Sequence, residues 1–323
     1  MVKIEEILTE EEISYICSKK RCRLEGFLVE QINKKKIFHD QNILENYIAY
    51  DYQNDIMYIF NDNDDENIEF KINLIKKGFR VRSIELTENH SYIIYGINND
   101  GRYTSKSVKL KKIEDNKTKT IDQDNLSQKE DISELLDICN EEGISICEFK
   151  EWINFIIFKD EYAPFKVIDF DIFSINGEEI NYFETKCKYP TSNGTFGINI
   201  GEKKAMDKLK TKGINSYYLI LLKPIWKNNY RLSDIFKNKK QKELMIYIMS
   251  NPNEHGFYLE EKKEAPSYTQ IYSSSRQVYY ETSVSNFIYI GDLDFKINRI
   301  DDKIKSFNSI EKINMSFLRN NQF

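Results

Sequence analysis

The stretch VIDFDIFSINGEEINYFETKCK, Val167 to Lys188, decides the fold. It reads as two short strands joined by a turn at Asn176-Gly177, with Asp171 in the first arm and Glu184-Thr185-Lys186 in the second. Residues i and i+2 of a strand point to the same side, so Glu184 and Lys186 share a face. The turn folds the first arm back and lets Asp171, 13 residues upstream, approach Glu184. Two converging carboxylates repel unless a cation lies between them. Mg²⁺ takes carboxylates while keeping several waters, and it suits an open site of this kind, with Mn²⁺ as its substitute. A lysine beside the ion would orient a metal-bound water or meet charge on a phosphate, so the chemistry suggested is phosphodiester hydrolysis. The competing reading is a hairpin with solvated charges and a cross-strand ion pair of small worth.

The Glu-x-Lys spacing alone carries little weight, because it recurs at Glu69–Lys71, Glu148–Lys150, Glu202–Lys204, Glu260–Lys262 and Glu261–Lys263. Glu69 follows the acidic run NDNDDEN directly, with no strand to carry a partner aspartate. The others fall in expected helices or at their starts, where i and i+2 diverge. Asp292, Asp294 and Lys296 in GDLDFK also alternate on a strand, but lack the elements that follow Lys186.

Those elements are a strand GTFGINI, a helix GEKKAMDKLKTKG ended by Gly213, and SYYLILL, an apolar strand expected inside a sheet. Upstream, ISELLDICNEEG reads as a helix. Ser145 with Glu148 three residues on forms a capping-box pattern opening ICEFKEWINFIIF, whose Phe149, Trp152, Ile153 and Ile156 share one face. The order is helix, strand, strand, strand, helix, strand. Beyond residue 226 come a basic helix SDIFKNKKQKELMIYIM, a Tyr/Ser-rich stretch, a strand NFIYIGDLDF and a terminal helix. Before residue 115, an acidic helix over 3–20 and an apolar-periodic piece around Leu24 to Ile32 precede six strands: YIAYDY, DIMYIF, IEFKINLI, FRVRSIEL, SYIIYGI and SKSVKLKKI. The polar EDNKTKTIDQDNLSQKED has no apolar periodicity and marks a linker. The chain thus divides into an N-terminal α+β unit (1–115) for recognition, sensing or partner binding, a linker (116–130) and a second domain with a C-terminal extension (131–323). The fold class is α/β, α+β overall, with a mixed central sheet flanked by helices.

The 323 residues allow two units or one elaborated core. With 47 Lys and Arg against 52 Asp and Glu, the net charge of −5 does not indicate a strongly basic nucleic-acid binder, so any such surface is a local patch. KKGFRVR (76–82), KSVKLKK (106–112), KNKKQK (237–242) and the lysines of the helix after the site are candidates for phosphate contacts. More often such clusters are solvated faces. Five cysteines without CxxC spacing suit a reducing compartment. The acidic N-terminus lacks an apolar leader core, and no apolar run is long enough to span a bilayer, so a cytoplasmic protein without membrane contact is expected.

The order helix, Asp-bearing strand, Glu-x-Lys strand, helix, apolar strand resembles the PD-(D/E)xK nuclease superfamily, the restriction-endonuclease-like fold. FDIFSINGEEINYFETKCK followed by GTFGINIGEKKAMDKL and YYLILL is similar to a Mrr-like branch associated with restriction and phage-defence proteins. The resemblance covers roughly residues 145 to 225, the size of a minimal domain core. It implies that Asp171 and Glu184 bind the metal with the Thr185 carbonyl, and that Lys186 is the catalytic lysine. The first helix in many members carries a metal-side glutamate, for which Glu148 is the candidate by position, although its capping box accounts for it equally well. The approach to the aspartate is shorter than is usual in the family, which leaves Asp169 or Asp160 as alternatives to Asp171. The implied activity is a Mg²⁺- or Mn²⁺-dependent endonuclease on double-stranded DNA, acting as a restriction or anti-phage effector. A homodimer would supply two active sites, and a defence-system partner protein is a further expectation. The alternatives are a non-catalytic nucleic-acid-binding or protein-interaction module on the same fold, and a helix-turn-helix DNA binder over residues 132–157. The second helix of that pair is too apolar to lie readily in a major groove.

Overall fold

The computed structural model describes residues 8–17, 21–87, 91–110, 125–162, 167–227, 230–252, 263–266, 276–293 and 300–322. The chain is mixed α/β, with mixed sheets flanked by helices. It opens with α1 (Glu10–Cys17) and α2 (Arg21–Lys36), then β1 (Ile48–Asp51), β2 (Ile56–Phe60), α3 (Ile68–Lys76), β3 (Arg80–Leu86), β4 (Tyr92–Ile97) and β5 (Tyr103–Lys109). Helices α4 (Asn125–Glu141) and α5 (Ile146–Ile157) lead to β6 (Ile168–Phe170), β7 (Ile172–Asn176), β8 (Glu179–Lys188), β9 (Thr195–Asn199), α6 (Ile200–Thr211) and β10 (Asn215–Leu222). The remainder is α7 (Leu232–Lys237), α8 (Lys239–Lys242), β11 (Ile246–Ser250), β12 (Lys263–Pro266), β13 (Arg276–Ser283), β14 (Ile288–Asp292), α9 (Ile300–Lys305) and α10 (Met315–Asn320). Among the described residues no helix is long and apolar enough to cross a membrane.

The quoted stretch does form a hairpin. β7 and β8 pair antiparallel from Ile172–Phe183 to Asn176–Glu179, and Gly177 turns the chain at φ 59°, where a side chain would be strained. Next to it, β10 runs parallel to β8, from Asn215–Asn181 to Leu222–Lys188. A parallel pair needs a crossover, supplied here by β9 and α6. In the five-stranded order β14-β11-β10-β8-β7, β10 is central and all but its first residue are buried, as the apolar run SYYLILL requires. β9 stands outside this sheet, in a three-stranded one with β13 and β12.

Two expected elements come out differently. IEFKINLI alternates apolar and polar residues, yet residues 68–76 form a helix, α3. Its buried face carries Phe70, Leu74 and also Lys71, whose ammonium meets Asp62 at 2.9 Å and the Asn63 carbonyl at 3.0 Å inside the protein. A lysine satisfied in the core breaks the period that pattern reading relies on. The expected basic helix 233–249 is two short turns, α7 and α8, followed by β11, because MIYIM supplies a buried strand beside β10.

The two large sheets interlock. β6 adds to the N-terminal sheet, in the order β5-β4-β3-β2-β1-β6, pairing Phe170 with Ile48 and Ile168 with Tyr50. That strand crosses the boundary drawn between residues 115 and 131. Of the expected linker, residues 116–124 lie outside the described residues, and 125–130 open α4. Both hydrophobic cores draw on both segments: one unites Phe27, Tyr58, Phe155, Phe183 and Leu219, the other Tyr50, Phe70, Phe170, Tyr182 and Tyr218.

Candidate metal centre

Alternation along β8 puts Tyr182, Glu184, Lys186 and Lys188 on one face. Continued by one residue, the β7–β8 register brings Asp171 opposite Glu184. Asp171 is held there by Thr185, whose backbone N–H and Oγ donate to Oδ2 at 2.6 and 3.0 Å. Both bonds fall on Oδ2, and Oδ1 accepts neither. Glu184 is 2% exposed. Its Oε2 takes the Tyr182 hydroxyl and its Oε1 the Lys186 ammonium. Lys186 also faces Glu202 at 3.3 Å. Glu202 comes from the first turn of α6, where Asn199 donates its backbone N–H to Oε2 and its Nδ2 to Oε1, both at 3.1 Å. Lys188 donates to the Gly197 carbonyl at 2.6 Å and to the Tyr218 hydroxyl at 2.8 Å.

The electrostatics follow from crowding charge away from water. Burial pushes the Asp171 carboxyl above its ordinary range, against the pull of Lys186 and the Thr185 N–H. Burial likewise holds Glu184 well above the usual carboxylate range, and repulsion from Glu202 and Asp171 adds to it. For Lys186 burial works downward, but Glu184, Glu202 and Asp171 outweigh it and keep the ammonium charged. Glu202 is also desolvated, yet Lys186 and Lys188 bring it below its ordinary value. Burial depresses Lys188 to about 8.

Glu30, which the sequence reading passed over, joins this cluster. Helix α2 lies against β8, and just beyond its end the Phe38 ring meets Phe183 edge-on at 4.7 Å. Glu30 is buried and pairs with Lys34 at 3.2 Å. Burial first, then the nearby Asp171 and Asp169, push its carboxyl to about 7. The available signal was an acid set among Leu24, Phe27, Leu28 and Ile32, the apolar residues of one helix.

Glu148 does not join the cluster. Its Oε2 accepts the Ser145 N–H at 2.5 Å and its own N–H donates to Ser145 Oγ at 3.1 Å, so it closes the capping box of α5. That helix is spent elsewhere: Phe155 packs on Tyr47 and Phe60 of the N-terminal segment. Asp169 pairs with Lys159 at 2.9 Å, and Asp160 accepts the Tyr15 hydroxyl at 2.8 Å. Asp292 accepts the Tyr289 hydroxyl at 2.6 Å, while Asp294 and Lys296 lie outside the described residues. Several basic clusters have partners within the chain: Lys237 with Glu134, Lys242 with Glu142, and Lys208 and Lys212 with Asp55.

The donor set fits a hard divalent cation. Asp171 and Glu184 bring carboxylate oxygens, and the two repel one another in a buried setting. A cation there would relieve the repulsion that Lys186 relieves in the structure. Among the described residues no group of three or more His, Cys, Asp or Glu side chains is placed to hold a metal ion. Mg²⁺ needs none, since it is held through one or two carboxylates and keeps its remaining waters for substrate phosphates.

Comparison with family models, with curated proteins and with solved structures yields no match to this chain.

Proposed function

We propose that the protein is a Mg²⁺-dependent nuclease of the PD-(D/E)xK superfamily that hydrolyses phosphodiester bonds in DNA, as a restriction or anti-phage effector. The observation that carries this reading is the bonding of Asp171 to Thr185, beside a Glu184–Lys186 pair that Glu202 also engages. The order of α2, β7, β8, α6 and β10 supports it, with α2 in the place of the first helix. Asp171 and Glu184, with the Thr185 carbonyl, would hold the metal. The bound cation would supply an activated water and neutralise charge on the scissile phosphate. Lys186 remains protonated between its carboxylates, so it serves as a positioned cation that swings its charge towards the phosphate rather than as a free amine. Glu202 keeps Lys186 in reach from the second side, and Tyr182 fixes the rotamer of Glu184.

A non-catalytic module on the same scaffold is the second reading. Its support is that Tyr182 and Lys186 already satisfy Glu184, and Glu202 already pairs with Lys186, within the chain. Incubating the purified protein with supercoiled DNA and with RNA, each with Mg²⁺ or Mn²⁺, separates the two. The nuclease reading expects metal-dependent DNA cutting that Glu184→Ala and Lys186→Ala each lower at least about a hundredfold, on the scale of losing one electrostatic catalytic group. No cutting, or equal cutting by both variants, overturns it.

A further inference from the structure

Asp171 does not lie inside a strand. It is the single residue between β6, which belongs to the N-terminal sheet, and β7, which belongs to the sheet carrying Glu184. Whatever sets the relative position of those two sheets therefore sets where Asp171 stands. On one side Phe170 pairs with Ile48, and its ring stacks on Tyr50 at 5.3 Å. The same ring touches Tyr182 at 4.6 Å, and the Tyr182 hydroxyl donates to Glu184, so a run of aromatics leads from β1 to the site. On the other side, the segment before β1 is bonded to β7: Leu44 N–H donates to the Phe173 carbonyl at 3.0 Å, and Ile175 N–H to that of Asn42 at 2.8 Å.

Two side chains of the N-terminal segment hold the remaining site elements. Asn73 of α3, 4% exposed, donates its Nδ2 to the Gly177 carbonyl at 2.9 Å, which ties down the tip of the β7–β8 hairpin. Asp55, in the turn between β1 and β2, accepts the Tyr50 hydroxyl at 2.9 Å and faces Lys208 at 3.3 Å and Lys212 at 3.7 Å. Both lysines lie at the C-terminal end of the helix segment whose first turn carries Glu202. Lys212 donates onward to the Gly78 carbonyl at 3.0 Å, and Lys77 returns the contact to that of Gly213 at 3.1 Å.

We infer that the N-terminal segment is a positioning element of the carboxylate site, with Asn73 and Asp55 as positioning residues. Asn73 fixes the hairpin that sets Asp171 against Thr185, and Asp55 fixes the helix that sets Glu202 against Lys186. Neither touches the reacting groups. Binding or strain in the segment would thus alter the affinity of the site for its cation, which makes the segment a route of regulation. The metal side of this inference rests on the nuclease reading, while the geometric side stands by itself.

The test uses the full chain with Asn73→Ala, Asp55→Asn and, as control, Lys76→Ala. The control removes the exposed Lys76–Glu178 contact to the same turn. In metal-free protein, hydrogen exchange reads the Thr185 amide, which is bonded to Asp171, against amides of the β10–β11 pair. Mn²⁺ affinity is read by calorimetry. The expected result is an approximately tenfold loss of Thr185 protection relative to β10–β11 in Asn73→Ala. A rise in the Mn²⁺ dissociation constant of similar size is expected in Asn73→Ala and Asp55→Asn, with Lys76→Ala like the parent. Unchanged Thr185 protection in Asn73→Ala, or a loss shared equally with β10–β11, overturns the positioning role. If Asn73→Ala does not fold, unchanged Mn²⁺ affinity in Asp55→Asn overturns it. Absence of Mn²⁺ binding by the parent instead removes the nuclease reading, and the exchange result still decides the geometric claim.

Discussion

Replacing Glu30 by glutamine should stabilise the protein at pH 8 and leave it nearly unchanged near pH 4. In the folded state burial lifts the Glu30 carboxyl from 4.5 to about 7. A group raised in this way favours folding while it is protonated. That contribution is full below pH 4.5, fades as pH rises through the window from 4.5 to about 7, and is gone above it. One pKa unit corresponds to about 1.4 kcal/mol, so ionising Glu30 costs the folded state about 3 kcal/mol at pH 8. Glutamine has the same shape and never ionises. The pairing with Lys34 is already counted in the raised value, since Lys34 pulls it down. Lys34 keeps the Glu45 carbonyl at 3.3 Å and the Tyr47 ring at 5.1 Å after the change. Urea denaturation of parent and Glu30→Gln at pH 4, 6 and 8 measures the difference. It should grow from near zero to about 3 kcal/mol across that range, while the same variant loses cation affinity through the missing negative charge near Asp171. A difference that does not change with pH, or a variant less stable than the parent at pH 8, would refute the assignment of Glu30 to the buried charge cluster.

Lys71→Met should cost about 3–5 kcal/mol, the scale for removing one partner of a buried ion pair, because Asp62 loses its counter-ion in the core and keeps, among the described residues, Ser83 and Asn67 as side-chain donors; thermal or chemical denaturation reads it. Glu148→Ala should lose about 1 kcal/mol from the broken capping box and, on the proposed nuclease reading, cut DNA like the parent, whereas a rate loss beyond tenfold would return Glu148 to the site.

The hairpin, the helix after it and the central strand were legible in the sequence for local reasons. Asn176-Gly177 demands a turn, Gly213 stops α6 at φ 70°, and an unbroken apolar run such as SYYLILL has no stable place but inside a sheet. Ser145 and Glu148 announced a helix start for the same reason, and the box is formed. What was not legible depends on partners distant in sequence. IEFKINLI alternates like a strand, and its helical face becomes coherent through Asp62 and the Asn63 carbonyl, which satisfy Lys71 in the core, and through Ser83 and Asn67, which satisfy Asp62. IDFDIF reads as one strand, and its division at Asp171 is imposed by pairing of Ile168 to Phe170 with β1, more than a hundred residues earlier. The helix lying on β8 is α2, whereas α5, the first helix of the resemblance, packs Phe155 on Tyr47 and Phe60 of the N-terminal segment. Glu30 was hidden for that reason: nothing local in its helix connects it with residues 171 to 186.

The central claim is that Asp171 and Glu184 share a divalent cation. Crystals soaked in Mn²⁺ and measured at the manganese edge test it most directly. The account predicts an anomalous peak between the two carboxylates, at metal–oxygen distances of roughly 2.0–2.3 Å that also admit the Thr185 carbonyl. It further predicts that Lys186 gives up its contact with Glu184 Oε1, and that the peak is lost in Asp171→Asn. A crystal with manganese bound elsewhere and none between Asp171 and Glu184 would contradict it.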